Sequence, residues 1–502
     1  VPMSGAKPGQ FVVLVSISLV ALIGLVGLAV DAGYLYTVRR HMQTTADAAA
    51  IAAANVIESG QSGGYQQAAK DVTAINGFTD GINSVAVTVS SPPADGTYAG
   101  LANYVEVKVS QPVPTFFFNI LGFSSVTVGA LAVAGKVNGP ACVYALDPSA
   151  PGAISLNGNF SLTASCGVLA DSNSSSALKA TGNGSLTATS IGVVGNYSAN
   201  GNVSLTPQPH INVAPAPDPL SGLQPPSFSA CSQQSTTNSG SYVVSGNNPV
   251  VTVPPAVYSG GMNIGGNNST VTFSGGTYGN GIALNGNNGS VTFNPGQYQS
   301  GGSGNAISIA GNATTTFTAG AYAFCGPVSI TGNNNVTLSP GVYSGGISIT
   351  GNATVKFNPG TYILAGGGLS VTGNSILTGS GVTFYDTTGP GGYKGIDLAG
   401  NERANLSAPT SGAMEGILFF QDRSIGAGSP ASSIVGNAQS TFDGVIYFPT
   451  TAIRYVGNSS GSGYTILVAD TISVVGNASL QIGNDYSSLT DGSPIKSTAL
   501  YE

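Results

Sequence analysis

Residues 282–293 read IALNGNNGSVTF, residues 328–338 read VSITGNNNVTL, and residues 347–357 read ISITGNATVKF. Each is a short alternating strand, a Gly-Asn turn and a second alternating strand. Working outward, the Gly-Asn pair recurs with Asn at 247, 267, 287, 312, 333, 352 and 374, at spacings of 20, 20, 25, 21, 19 and 22. Tyr258, Tyr278, Tyr298, Tyr322, Tyr343 and Tyr362 keep step with it. Further Gly-Asn copies end in Asn159, Asn183, Asn196, Asn202, Asn401, Asn437, Asn458 and Asn477. A unit of roughly 20 residues cannot bury a face alone, so such units must stack on one another. Short alternating strands and tight turns at this period predict a parallel β-helix. About fifteen rungs at ~4.8 Å would give a rod of roughly 70 Å. Asn247, Asn267, Asn287, Asn312, Asn333, Asn352 and Asn374 are expected to form a rung-to-rung ladder, as stacked Asn side chains do in cross-β structure. Inward Val, Ile, Leu, Phe and Tyr are expected to fill the core.

The repeat begins near residue 140 and is interrupted once. Residues 206–227 carry seven prolines and should be extended, crossing the rod's surface between an early set of rungs and the main array. Before the repeat, residues 66–76 read as a short helix. Residues 84–90, 103–110 and 124–137 read as strands, and 115–121 as a short apolar helix. Val105, Val107 and Val109 alternate with Tyr104, Glu106 and Lys108, as in a half-buried antiparallel strand.

Residues 11–30 are twenty uncharged and mostly apolar residues. As a helix they span ~30 Å, the thickness of a bilayer core. Leu35, Val38, Met42, Thr45, Ala49, Ala52 and Val56 continue at helical spacing, so one helix over 10–57 is expected, apolar all round and then amphipathic. It is a membrane anchor or it packs with copies of itself in a filament core. Gly24, Gly27, Ala29 and Gly33, with Phe11 at the head of the run, are candidates for that anchoring or close helix approach. Lys7 precedes the run and Arg39-Arg40 follow it, so flanking charge does not settle orientation.

The expected fold is therefore mainly β: a long N-terminal pilin-like α-helix, a small α/β module with an antiparallel sheet, then a parallel β-helix of ~20-residue rungs. The expected divisions are the hydrophobic helix (1–57), the module (58–139), first rungs (140–205), Pro-rich linker (206–235), main β-helix (236–485) and C-terminal tail (486–502).

Composition excludes several classes. Only 7% of residues are charged, the formal net charge is −7 with 13 basic residues, and Trp is absent, which argues against a nucleic-acid binder. Two His and four widely spaced Cys leave little for a metal site, and no cofactor is expected. Parallel β-helices include polysaccharide-acting enzymes, whose chemistry needs paired carboxylates. Between Pro219 and Tyr385 there is no acid and Lys356 is the only base, so no enzyme is expected. The late acids Asp386, Asp397, Glu402, Glu415, Asp422, Asp443, Asp470 and Asp485, with Arg403, Arg423 and Arg454, are expected to form ion pairs at the rod's end. His41 and His210 read as solvated or capping residues. Fourteen Asn sit in N-x-Ser/Thr sequons, which the Gly-Asn-x-Thr turn itself explains better than glycosylation.

The run GQFVVL…GLVGLAVDAGYLY…ADAAAIAAA, with Asp31, Arg39-Arg40 and Ala46 to Ala54, resembles the TadE/TadG-like proteins of bacterial Tad (Flp) pilus systems. So do GNATV at 351–355, PGTY at 359–362, ILFFQDR at 417–423 and SPIK at 493–496. The resemblance implies a cell-envelope protein of pilus assembly, membrane-anchored at least before assembly, with the rest outside the cytoplasm. Its expected partners are copies of itself or Tad pilus assembly proteins, and the membrane through the N-terminal helix. One departure stands out. Pilins cut by a prepilin peptidase usually carry Glu five residues after the cut; here cutting after Gly9 would place Leu14 there. Four Cys allow three pairings. Cys142–Cys166 and Cys231–Cys325 are favoured, because an envelope protein folds where disulfides persist; free buried thiols are the alternative. The expected function is that of a structural surface protein, itself the subunit of an extracellular filament or a pilus-associated anchor. An adhesin or carbohydrate-binding stalk is the alternative.

Overall fold

A computed structural model describes residues 8–58, 63–96, 98–101, 104–138, 141–232, 234–302, 304–460 and 464–501. Strand accounts for 47%, so the class is mainly β. The chain forms two compact units: 1–138 together with 496–502, and 139–495.

The first unit begins with helix α1 (Pro8–Glu58), followed by α2 (Tyr65–Ile75). Strands β1 (Ala86–Ser90), β2 (Tyr104–Pro114) and β3 (Ser125–Asn138) are joined by the C-terminal strand Lys496–Tyr501. All neighbours are antiparallel, in the order β1-β2-β3-C-terminal strand. Val105, Val107 and Val109 are fully buried, on the face that alternation assigns inward. Against this face lie Met42, Ala46, Ala49, Ala50 and Ala53 of α1. The alanines let the helix axis lie close to the sheet, and the Gln43 amide locks the approach by donating to the Leu131 carbonyl at 2.8 Å. The sheet has four strands where 84–137 alone supplied three. The solenoid is thus an insertion between β3 and the strand that covers its edge, which leaves fewer unpaired backbone groups there.

The second unit is a parallel β-solenoid of about 15 turns. A turn such as Ile347–Gly351, Thr354–Phe357 and Gly360–Ala365 holds three strands. Like residues stack: Ile307, Val328, Ile347 and Leu369 form one column. Phe273, Phe293 and Phe317 form another, with ring centroids 4.4 and 4.6 Å apart. Tyr278, Tyr298, Tyr343 and Tyr362 are fully buried, so tyrosine belongs to the core. A buried phenol needs a partner. Each finds one four residues back at the turn: Tyr278 donates to the Ser274 carbonyl at 2.8 Å, Tyr298 to Asn294 at 2.6 Å, Tyr343 to Ser339 at 2.6 Å and Tyr362 to Asn358 at 2.8 Å.

The order of turns along the solenoid is not the order of the chain. The turns of 141–187 stack on the last turns of the main array, not the first: Val143 pairs with Leu467, Ile154 with Ile472 and Leu162 with Leu480. The chain enters in mid-solenoid and builds out to the strand Tyr197–Thr206 at one end. It then returns along the surface and restarts at Tyr242–Val244 at the other end. The Pro-rich segment is that return strap, and it runs the length of the solenoid. Its backbone, which cannot join a ladder at proline, is tied to solenoid side chains in sequence. Ala216 N–H donates to Asp171 at 2.8 Å, and the Leu223 carbonyl accepts from Arg423 at 2.8 Å. Farther along, the Ser232 carbonyl accepts from Gln299 at 2.7 Å.

Candidate anchoring and assembly site

Along α1 the apolar run is bare. Phe11, Leu14, Val20 and Leu25 each expose more than half their surface. Burial starts at one point, where Gly27 and Asp31, one turn apart, meet the loop between β2 and β3. Asp31 is 1% exposed, and its carboxylate accepts the backbone N–H of Phe116 at 3.0 Å, Phe117 at 2.8 Å and Phe118 at 2.7 Å. Those donors open the short 3₁₀ turn Phe118–Leu121, so an acid from α1 caps a turn some 85 residues away. Gly27 is covered by the Phe117 ring, and a Cβ there would overlap it. Tyr34, the next residue on this face, meets Phe116 with centroids 5.8 Å apart.

Of the other residues expected to mediate anchoring or helix approach, Phe11, Gly24, Ala29 and Gly33 are exposed, and an added Cβ at Gly24 or Gly33 would meet nothing within 4 Å. Gly27 is different, since its close approach is made within the chain. Sequence reasoning singled out Asp31 but not its partner. The one available signal is the charge-free aromatic stretch TFFFNILGF at 115–123.

The Gly-Asn residues lie along the solenoid. Asn352 donates to Asn333 at 3.0 Å and Asn374 to Asn352 at 3.1 Å, a continuous side-chain ladder. Asn247 faces Asn267 across a backbone bridge, and Asn287 is in register with Asn312. Asn159 donates to Asn477 at 2.9 Å across the junction of early and late turns. The preceding glycine is required: Gly373 has φ +104°, and a Cβ there would lie 2.5 Å from the Gly351 carbonyl oxygen.

Disulfides join Cys142 to Cys166, Cα atoms 5.8 Å apart, and Cys231 to Cys325, 5.4 Å apart. The first links consecutive turns. The second pins the strap.

Among the described residues the ion pairs are Lys70–Asp80 at 2.9 Å and Arg423–Asp218 at 3.7 Å. Arg423 lies under the strap, bonded also to Tyr447 at 2.6 Å and to the carbonyls of Leu220 and Leu223. Asp386 is fully buried, and neither carboxylate oxygen has a hydrogen-bond partner in the described residues. Burial pushes its pKa well above the carboxylate range, with Tyr393 a weaker opposing influence. Burial, and secondarily the charge of Asp397, raises Glu402. His41 packs on Phe78 with centroids 5.2 Å apart, and His210 is exposed in a two-residue strand. Among the described residues no three His, Cys, Asp or Glu side chains converge as metal ligands do.

The first unit is thus a long helix, exposed over its apolar run and seated on a sheet beyond it, and the β-solenoid is inserted between that sheet's third strand and its last. Residues 9–56, all within α1, match a family described as "Putative Flp pilus-assembly TadE/G-like". No curated protein and no solved structure matches the chain. The N-terminal helix is thus similar to the TadE/G-like family, and the β-solenoid that follows fits a long TadE/G-like form. They support a pilus-related structural role at the cell envelope or surface; the family is a pilus-assembly component rather than an enzyme family.

Proposed function

We propose that this protein is a structural component of a Tad-type pilus system, held in the membrane by residues 11–30 and displaying the solenoid outside the cytoplasm. The supporting observation is the boundary at Asp31. N-terminal to it, residues 11–26 leave their apolar side chains exposed, and C-terminal to it the same helix is seated on its own sheet. The sixteen apolar side chains of residues 11–30 do not stay in water, at ~1.5–3 kcal/mol for each large one. A bilayer satisfies them first, and a bundle of identical helices satisfies them equally. The chain enters the membrane and then assembles with copies of itself, or with Tad assembly proteins, through the same run, where the small residues Gly24, Ala29 and Gly33 leave room for close helix approach. Electron microscopy of purified cell-surface material tests the second step. Filaments containing this chain support assembly, and membrane-bound single copies alone contradict it.

A further inference from the structure

We propose that the loop between β2 and β3 is a second membrane contact, an apolar foot that enters the lipid interface beside α1. This rests on the reading that residues 11–30 are held in a bilayer. The loop presents Phe116, Ile120, Leu121 and Phe123, each more than 60% exposed, with Ile120 at 81%. No charged residue occurs between Lys108 and Lys136, so the whole hairpin end is neutral. Apart from the bare run of α1, the other exposed apolar side chains of this unit are scattered; here they crowd one tip.

Position identifies the occupant. The loop is fixed to α1 at Gly27, Asp31 and Tyr34, one turn inside and one turn outside the end of the apolar run. A bilayer that accommodates residues 11–30, ~30 Å of helix, therefore ends at the level of this loop. The exposed side chains are continuous with the bare face of the helix. Tyr34 and Tyr36 lie at the same level, where aromatic residues favour the lipid interface. Asp31, the one charge at this depth, is consumed internally by three N–H donors and is not presented to lipid. Two apolar elements fixed to each other would set the tilt and rotation of the protein on the membrane, which a lone helix does not.

The chain contains no Trp, so one introduced indole is an unambiguous probe. Full-length Ile120→Trp and, separately, Leu19→Trp are reconstituted in phosphatidylcholine–phosphatidylglycerol vesicles carrying lipids brominated near the headgroup or near the chain end. The expected result is a blue-shifted emission for both. Ile120→Trp should lose most intensity to the shallow bromines and Leu19→Trp to the deep ones. If Leu19→Trp is quenched while Ile120→Trp emits as in water, the foot is refuted and the anchor stands. If neither is quenched, the membrane reading fails and the foot with it. Phe123→Trp repeats the test at a second tip residue and must agree with Ile120→Trp.

Discussion

The Tyr298 hydroxyl donates to the Asn294 carbonyl at 2.6 Å, four residues back across a Pro-Gly turn, while its ring lies 5.3 Å from that of Tyr278 in the turn before. The tyrosine-bearing turns are thus each closed by their own core residue. Burial, and then the neighbouring Tyr322 and Tyr278, hold this phenol far above its ordinary pKa, so it stays a donor throughout the working pH range. Tyr298→Phe keeps the stack and takes the donor from the part-buried Asn294 carbonyl. It should cost about 1–3 kcal/mol. Tyr298→Ala should cost more, about 3–5 kcal/mol, by opening a cavity. Thermal unfolding of both variants checks the ranking; equal losses would mean that the hydroxyl is the whole contribution.

The inside–outside assignment can be tested at two adjacent residues. Phe357 is 1% exposed and Lys356 is on the outer face. Phe357→Asp buries an unpaired charge and should cost several kcal/mol, whereas Lys356→Asp should be nearly silent. Equal destabilisation in a denaturant titration would contradict the alternation.

The columns were legible because period is local. Ile-Ser-Ile and Val-Thr-Phe announce their inward residues wherever they stand in the chain. The order of turns was not, since the edge of one parallel turn accepts another whatever its chain position. Nothing in 141–187 states that Val143 sits beside Leu467 rather than beside the turn of Tyr242. The strand at 496–501 was hidden for the same reason, because it completes an edge formed by β3 more than 350 residues earlier. Asp31 was visible as an acid following an apolar run, but its three partners are backbone N–H groups, marked in the sequence only by the charge-free aromatic stretch at 115–123.

Stability should depend on pH through Asp386. Its folded pKa is raised by burial, so the folded state retains a proton that the unfolded chain loses above about pH 4. Stability is therefore highest below the unfolded pKa and falls as pH rises toward the folded one. Asp386→Asn should raise the melting temperature at pH 7 and flatten its fall between pH 4 and 7. An unchanged slope would place the titration elsewhere.

The strap should be separable from the solenoid. Cys231–Cys325 closes 94 residues, worth about 4–5 kcal/mol in the chain-entropy model. Mild reduction, or Cys231→Ser with Cys325→Ser, should expose residues 206–235 to protease before the turns unfold. Arg423→Ala should add to that exposure by freeing the carbonyls of Leu220 and Leu223 and leaving Asp218 held on the solenoid by Tyr447 alone. Cleavage first appearing within 262–357 would contradict the strap's place as the weaker element.

The most direct test of the account removes residues 11–30 and supplies an export signal in their place, leaving Asp31 and the seated half of α1. The account predicts that the sheet and solenoid still fold and that the protein is released from the cell, with neither surface attachment nor filaments. Surface-attached protein or filaments at the level of the full-length chain would mean that the apolar run is neither anchor nor assembly core.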